Sequence, residues 1–180
     1  MGRLFLGQNS FGMVKRMHFC EVCGSKLQIK LVDRKPRPYC FLCQRPYFYR
    51  TEIGVCLVLV NPRREILYVQ MNYPPVETLW AFPGGRMEVD EEPYETLRRE
   101  LDQEIGFLVH KVTLLGVYSD ASSLTIAYLA HMMDRPEIRD AAEIARMAFY
   151  PLQKPPSLAW PSMKKMLQDV QFRLKLEEKA

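Results

Sequence analysis

The chain has 180 residues, of which 48% are hydrophobic and 26% charged, with a formal net charge of +4. That is enough apolar material for one packed domain with a small appendage, and too mild a charge to mark a nucleic-acid binder on its own. No apolar run reaches the roughly 18 residues needed to span a bilayer. Five cysteines, four of them in two C-x-x-C pairs, do not make a secreted disulfide framework, so the expected compartment is a reducing cytoplasm.

Taken in order, residues 1–16 hold Arg3, Lys15 and Arg16 and no acid, and are expected to be a flexible tail. No apolar stretch there leads to a small-residue cleavage site, and Leu6 stands where a myristoylation signal needs Ser or Thr. Residues 17–50 form a compact unit rich in Cys, Pro and aromatics, and residues 51–180 form the main domain. The main domain opens with a strand over Glu52–Val60. Asn61-Pro62-Arg63-Arg64 turns it into a second strand, Glu65–Met71, giving a hairpin. Residues 72–78 are looser, and the apolar run Leu79-Trp80-Ala81-Phe82 stops at Pro83-Gly84-Gly85.

Residues 92–105 are expected to be helical: Tyr94, Leu97, Leu101 and Ile105 recur every three or four residues, and Gly106 ends the run. Strands are expected over 108–118 and 123–132, a turn and strand over 141–151, and an amphipathic helix over 160–178. Strands, helix, strands, helix is the order of an α+β sandwich rather than a doubly wound parallel sheet. Apolar residues around Trp160, Met163 and Met166 suit either the core or a homodimer contact.

Cys20-x-x-Cys23 and Cys40-x-x-Cys43 are separated by 16 residues. Each pair presents two thiolates on a tight turn, and four thiolates make a tetrahedral Zn2+ site, so residues 17–50 are expected to be a small structural zinc ribbon. The alternatives are a redox pair, an iron–sulfur site or no metal, and a redox C-x-x-C would need a βαβ setting, which this segment lacks. Lys26, Lys30, Arg34, Lys35 and Arg37 allow a second reading, a nucleic-acid-binding module, but scattered basic residues on a small solvated domain are common, so nucleic acid is not the expected partner. Cys56 lies in an apolar strand and is expected to be buried.

Glu100 and Glu104 are four residues apart and project from one helix face, with Gln103 beside them. Two carboxylates so placed repel unless a cation lies between them, and Mg2+ favours hard oxygen ligands shared with a diphosphate. Gly84 and Gly85 allow the backbone to approach the helix and turn carbonyls toward that ion. Glu91 sits near the helix start, where the dipole favours an anion, and reaches Arg99 only if the chain bends back.

From Gly85 through Glu91, Arg99, Glu100, Leu101 and Glu104 to Gly106 and Phe107, the stretch resembles the Nudix box, G-x5-E-x7-R-E-U-x-E-E-x-G-U, where U is a bulky apolar residue. Gln103 departs from it, standing where the family has a Glu; its amide oxygen can coordinate but brings no charge and cannot act as a base. Asp90 replaces a glycine common before the Glu91 position.

The resemblance implies a Nudix-type α/β/α sandwich with a mixed sheet, preceded by the zinc ribbon. It also implies hydrolysis of a nucleoside diphosphate derivative with Mg2+ (or Mn2+). Glu100, Glu104, Gln103 and the Gly85 carbonyl would be metal ligands, and Glu91 with Arg99 would brace the loop. The general base would be a box Glu or Glu143, which matches a downstream Glu of the family. Arg86 is a candidate phosphate contact. Trp80 and Phe82 are candidate stacking surfaces, as are Tyr118 and Tyr128, with core packing the plainer reading for each ring. Two Nudix groups carry a zinc ribbon, NADH pyrophosphatases and a group acting on FAD or ADP-ribose. The S-Q-P-W-P-F-P-x-S motif of the first is absent after Phe107, so the second is the closer resemblance. Weakened metal binding at Gln103 leaves a nucleotide-binding sensor without turnover as the alternative.

Overall fold

The structure is a computed structural model in which residues 17–48, 51–72, 74, 76–121 and 123–177 are described. The expected tail, residues 1–16, lies outside them, as does the last residue of the expected C-terminal helix. The chain divides into two compact units, Met1–Thr51 and Glu52–Ala180. No helix among the described residues is long and apolar enough to cross a membrane.

In the smaller unit, strands β1 (Gln28–Val32) and β2 (Lys35–Cys40) pair antiparallel, and β3 (Arg45–Pro46) adds to β2. Asp33 and Arg34 make the two-residue turn with φ of 50° and 62°. That positive pair matches the right-handed twist of the flanking strands. Among the described residues of this unit, Cys20, Cys40 and Tyr47 form one small buried cluster with Met17, Leu27 and Cys43 packed around it, and Pro38 is buried as well. So few side chains cannot hold a fold by burial alone.

The larger unit contains β4 (Glu52–Val60), β5 (Glu65–Met71), β6 (Trp80–Ala81), α1 (Pro93–Ile105), β7 (Thr113–Asp120), β8 (Ser123–His131), β9 (Ile144–Pro151) and α2 (Ser162–Glu177). Its six-stranded sheet runs β6-β5-β4-β8-β7, with β9 also paired to β5. β4 and β8 are parallel from Glu52↔Ser123 to Val60↔His131, and the remaining pairs are antiparallel, so the sheet is mixed.

Strand periodicity explains the uninterrupted apolar run of β4. Val55, Leu57 and Leu59 join a cluster with Leu97, Leu101 and Ile105 of α1. Cys56, Val58 and Val60 join a second cluster with Met163, Met166, Val170 and Leu174 of α2. Successive side chains point to opposite faces, each face is covered by a helix, and the expected α/β/α sandwich results. Each fully buried Leu or Ile of α1 contributes about 1.5–3 kcal/mol. Met163 and Met166 lie within this core, which settles their packing role. β7 begins at Thr113 rather than at 108, because Phe107 and Val109 turn into the α1-side cluster as the chain leaves the helix.

Helix α1 starts at Pro93, where the missing N–H costs nothing, and Glu95 Oε2 accepts the Glu92 N–H at 3.1 Å. Gly106 ends it in the left-handed conformation, φ 57°.

Candidate functional site

The loop between β6 and α1 is laced to the first half of β4. Leu57 N–H donates to the Pro83 carbonyl at 2.9 Å, Val55 N–H to the Gly85 carbonyl at 2.8 Å, and Met87 N–H to the Ile53 carbonyl at 3.0 Å. The two glycines make room for different neighbours, Gly84 for the β4 backbone and Gly85 for α1. Gly84 has φ +136°, and a Cβ there would collide with the Val55 carbonyl and sit 2.7 Å from Cys56 Cα. At Gly85 a Cβ would fall 2.6 Å from Glu100 Oε2. The Glu100 carboxylate thus fills the space where Gly85 lacks a side chain.

Glu104 is buried on the same helix face, and its Oε2 accepts the Gly84 N–H at 2.9 Å. Burial pushes its pKa up to about 8. The Gly84 bond opposes that rise, while the charges of Glu100, Glu143 and Asp140 add to it. Glu143 is partly buried and also raised, by burial first and then by Glu100 and Asp140. The fold therefore brings Glu100, Glu104 and Glu143 within charge-charge reach of one another, beside the Gly84-Gly85 turn.

The segment carrying Glu143 docks on the end of α1: Arg139 N–H donates to the Glu104 carbonyl at 2.9 Å and Arg139 Nη1 to Asp102 Oδ1 at 2.5 Å. Asp140 Oδ1 accepts the N–H groups of Ala142 (2.9 Å) and Glu143 (3.1 Å), forming the turn that aims this segment. Asp140 was missed in the sequence. Its signal was an Asp three residues before Glu143, the side chain that commonly bonds its own backbone in a turn.

Arg99 organises the loop. Its Nε and Nη2 clasp Glu91 at 2.6 and 2.8 Å, Nη1 reaches Glu100 Oε1 at 2.8 Å, and Nη2 also donates to the Arg86 carbonyl at 3.2 Å. The chain does bend back as the Glu91–Arg99 distance demanded. Glu91 further accepts from Thr96 Oγ1 at 2.7 Å and from Glu88 N–H at 3.1 Å. The Arg99 guanidinium, then the Thr96 hydroxyl, hold its pKa down at about 2. Gln103 is exposed, with its amide oxygen 3.4 Å from Arg99 Nη1.

The remaining candidates separate. Arg86 is exposed and its Nη2 lies 3.2 Å from Glu52 Oε2. Trp80 is partly buried, edge-on to Tyr150 with centroids 5.3 Å apart. Phe82 is corrected as a substrate contact: it is 4% exposed and stacked on Tyr68 at 5.2 Å, so no face remains for a ligand ring. Tyr118 is buried with its hydroxyl donating to Asp169 Oδ2 at 2.7 Å. Tyr128 packs partly buried against the α1-side core.

Hard oxygen donors suit Mg2+ or Mn2+ at this site. Glu100 and Glu104 give two carboxylates, the Gly85 carbonyl keeps a second lone pair beyond its bond to Val55, and mutual repulsion among the acids favours a cation.

In the smaller unit the thiols of Cys20, Cys23, Cys40 and Cys43 all lie within 4.8 Å of one another. Cys20–Cys43 is 3.8 Å and Cys23–Cys40 is 3.6 Å. A tetrahedron with Zn–S of about 2.3 Å has S–S edges of about 3.8 Å, whereas a disulfide needs about 2.05 Å. Both knuckles close on a positive φ, 71° at Gly24 and 53° at Gln44. The Cys23 and Cys43 amides point at the Cys20 and Cys40 sulfurs. The Tyr47 hydroxyl pulls Cys20 down to about 6, while the neighbouring thiols push Cys43 up to about 12. Four thiols this close cannot all ionise without a cation, so the donor set fits Zn2+.

The NUDIX domain family model matches residues 50–170. Over 113 residues the chain is 36% identical to an 8-oxo-dGDP phosphatase of Mus musculus, a match that covers 59% of this chain and 33% of that protein. Over 68 residues it is 35% identical to an RNA pyrophosphohydrolase of Marinomonas sp. (strain MWYL1), covering 38% of this chain and 39% of that one. The chain thus spans well under half the length of these curated relatives. Among solved structures, a NUDIX hydrolase from Nitrosomonas europaea superposes with a TM-score of 0.65 at 22% identity, over 85% of this chain and 92% of that one. The NUDIX domain of Shewanella oneidensis NrtR, solved with ADP ribose, gives 0.59 at 24% identity, over 71% of this chain and 90% of that one. At these identities the two structures speak for the fold.

Proposed function

The chain belongs to the NUDIX family, and from that premise we propose that it hydrolyses the diphosphate bond of a nucleoside diphosphate derivative, with ADP-ribose or FAD as substrate class. The observation that carries this reading is the meeting of the Glu100 and Glu104 carboxylates at the Gly84-Gly85 turn, with Glu143 in electrostatic reach of both.

Glu100 and Glu104 would hold Mg2+ or Mn2+, with the Gly85 carbonyl and Gln103 amide oxygen as neutral donors. The bound ion supplies neutralisation of the diphosphate oxygens. The chain's own part is positional. Arg99 fixes Glu100 through one nitrogen and the Glu91 brace through two others. Glu143, its basicity raised by burial, accepts the proton of the attacking water; the water oxygen bonds to one phosphorus, and the bridging oxygen leaves with the other phosphate. Arg86 contacts a substrate phosphate by releasing Glu52, and Trp80 borders the base-binding end. The thiol cluster holds a structural Zn2+, and four thiols without a disulfide suit a reducing cytoplasm.

The relatives' names point to phosphate anhydrides of nucleotides in general, and the NrtR domain shows that a NUDIX fold receives ADP ribose. Incubation with Mg2+ and a panel of ADP-ribose, FAD and NADH, followed by chromatography, tests the reading. AMP is expected from ADP-ribose and FAD ahead of NADH. Tight nucleotide binding without products, with Mn2+ as well, would overturn it in favour of a sensor.

A further inference from the structure

The smaller unit carries a surface that the hydrolase reading does not use. Residues 17–48 hold six Lys and Arg against two Asp and Glu. None of those six cations makes an ion pair among the described residues. Even after the negative charge of a four-thiolate zinc centre is counted, the unit stays positive.

Strand register places the cations. Lys30 lies directly opposite Arg37, Gln28 opposite Tyr39, and Val32 opposite Lys35, so these side chains share one face of the β1–β2 hairpin. Like charges directly opposite one another weaken a strand pair. The Lys30–Arg37 pairing is therefore not itself a source of hairpin stability.

Aromatic rings accompany the charges. Lys30 Nζ stands 4.1 Å from the Tyr39 ring centroid and 5.7 Å from that of Phe41, and the Arg37 guanidinium lies 4.4 Å from the Phe48 centroid. Phe41 and Phe48 are 53% and 51% exposed, so each keeps ring surface open to solvent beside the cations. The Arg37 Nε–H is buried and has no hydrogen-bond partner among the described residues.

We propose that this face binds single-stranded nucleic acid. Lys30, Lys35 and Arg37 would take the phosphate backbone, and Phe41 and Phe48 would stack on unpaired bases. A duplex is disfavoured because its bases offer no free ring face to these side chains. An acidic peptide would meet the charges but leave the exposed rings unused. The pattern reads charge and base faces, with no sequence preference.

The test uses the full chain, zinc-loaded and without Mg2+, and a fluorescently labelled 12-nucleotide oligouridylate followed by anisotropy. Binding is expected to fall with salt, with a log–log slope of about −0.7 for each phosphate contacted. Lys30→Ala with Lys35→Ala, both exposed, is expected to reduce that slope by about 1.4 and weaken binding about tenfold at low salt. Phe41→Ala is expected to weaken binding about fivefold or more with the slope unchanged. Zinc content and hydrolysis of small nucleotides should be the same in all three proteins. Absence of binding at low salt, equal displacement by polyglutamate and by unlabelled oligonucleotide, or variants that bind as the parent does while keeping zinc, would each overturn the proposal.

Discussion

Neighbouring glycines should fail in different ways when each is replaced by alanine. At Gly84 the added Cβ meets rigid backbone, the Val55 carbonyl and Cys56 Cα, and φ is +136°, where an L side chain is strained. Backbone strain of about 1–3 kcal/mol and overpacking of about 1–3 kcal/mol put Gly84→Ala at roughly 2–6 kcal/mol, a large part of a domain's stability. At Gly85 the obstacle is the far end of one side chain, the Glu100 carboxylate. That group can swing aside, so Gly85→Ala should cost about 1 kcal/mol or less, a shift of roughly 2–4 °C in Tm. Displacing Glu100 by about 1 Å should lower kcat/KM on the order of 100-fold. Urea unfolding monitored by tryptophan fluorescence, paired with steady-state kinetics, separates the two. Equal destabilisation by both substitutions, or Gly85→Ala with full activity, would refute this account of the turn.

Three further outcomes follow from the geometry. Glu91 has a folded pKa of about 2, below its ordinary 4.5, so the unfolded chain takes up its proton first; the stability it contributes is complete above about pH 4.5 and fades as pH falls from there toward 2. Glu91→Gln should flatten that acid limb in a pH series of thermal melts, and an unchanged limb would speak against the brace. Chelation of zinc should open the thiols of Cys20, Cys23, Cys40 and Cys43 to a thiol reagent while Cys56, buried in β4, stays protected; fast reaction of Cys56 or none at the other four contradicts this. Tyr68→Phe removes a buried hydroxyl without a partner among the described residues and should leave stability unchanged or raise it by about 1 kcal/mol, so a clear loss on calorimetry would reveal a bond to that hydroxyl.

The parts that were legible in the sequence are those set by spacing. The apolar steps of Leu97, Leu101 and Ile105 gave α1, and the run from Val55 to Val60 gave the strand β4, whose packing on both faces is seen only in the fold. Helix phase alone puts Glu100 and Glu104 on one side. What spacing does not carry is the path of the loops. Arg99 joins Glu91, Glu100 and Arg86 because the chain doubles back, and Asp140 enters the site because its turn docks on the end of α1. Phe82 stood between two readings, a ligand contact and the plainer one of core packing, for a related reason. An aromatic residue just before a glycine turn can face a ligand or the core, and here the stacking on Tyr68 decides it. The hairpin of the small unit was not anticipated, since its strands bury almost nothing and lack an apolar alternation.

The central claim is that the carboxylates of Glu100 and Glu104 converge on one divalent cation that a diphosphate shares. Electron paramagnetic resonance of Mn2+, titrated into the protein with and without a non-hydrolysable ADP-ribose analogue, addresses it directly. Uptake should be tighter with the analogue present and should fall at least tenfold in both Glu100→Gln and Glu104→Gln. Uptake that is absent from the parent protein, or undiminished in either variant, would contradict it.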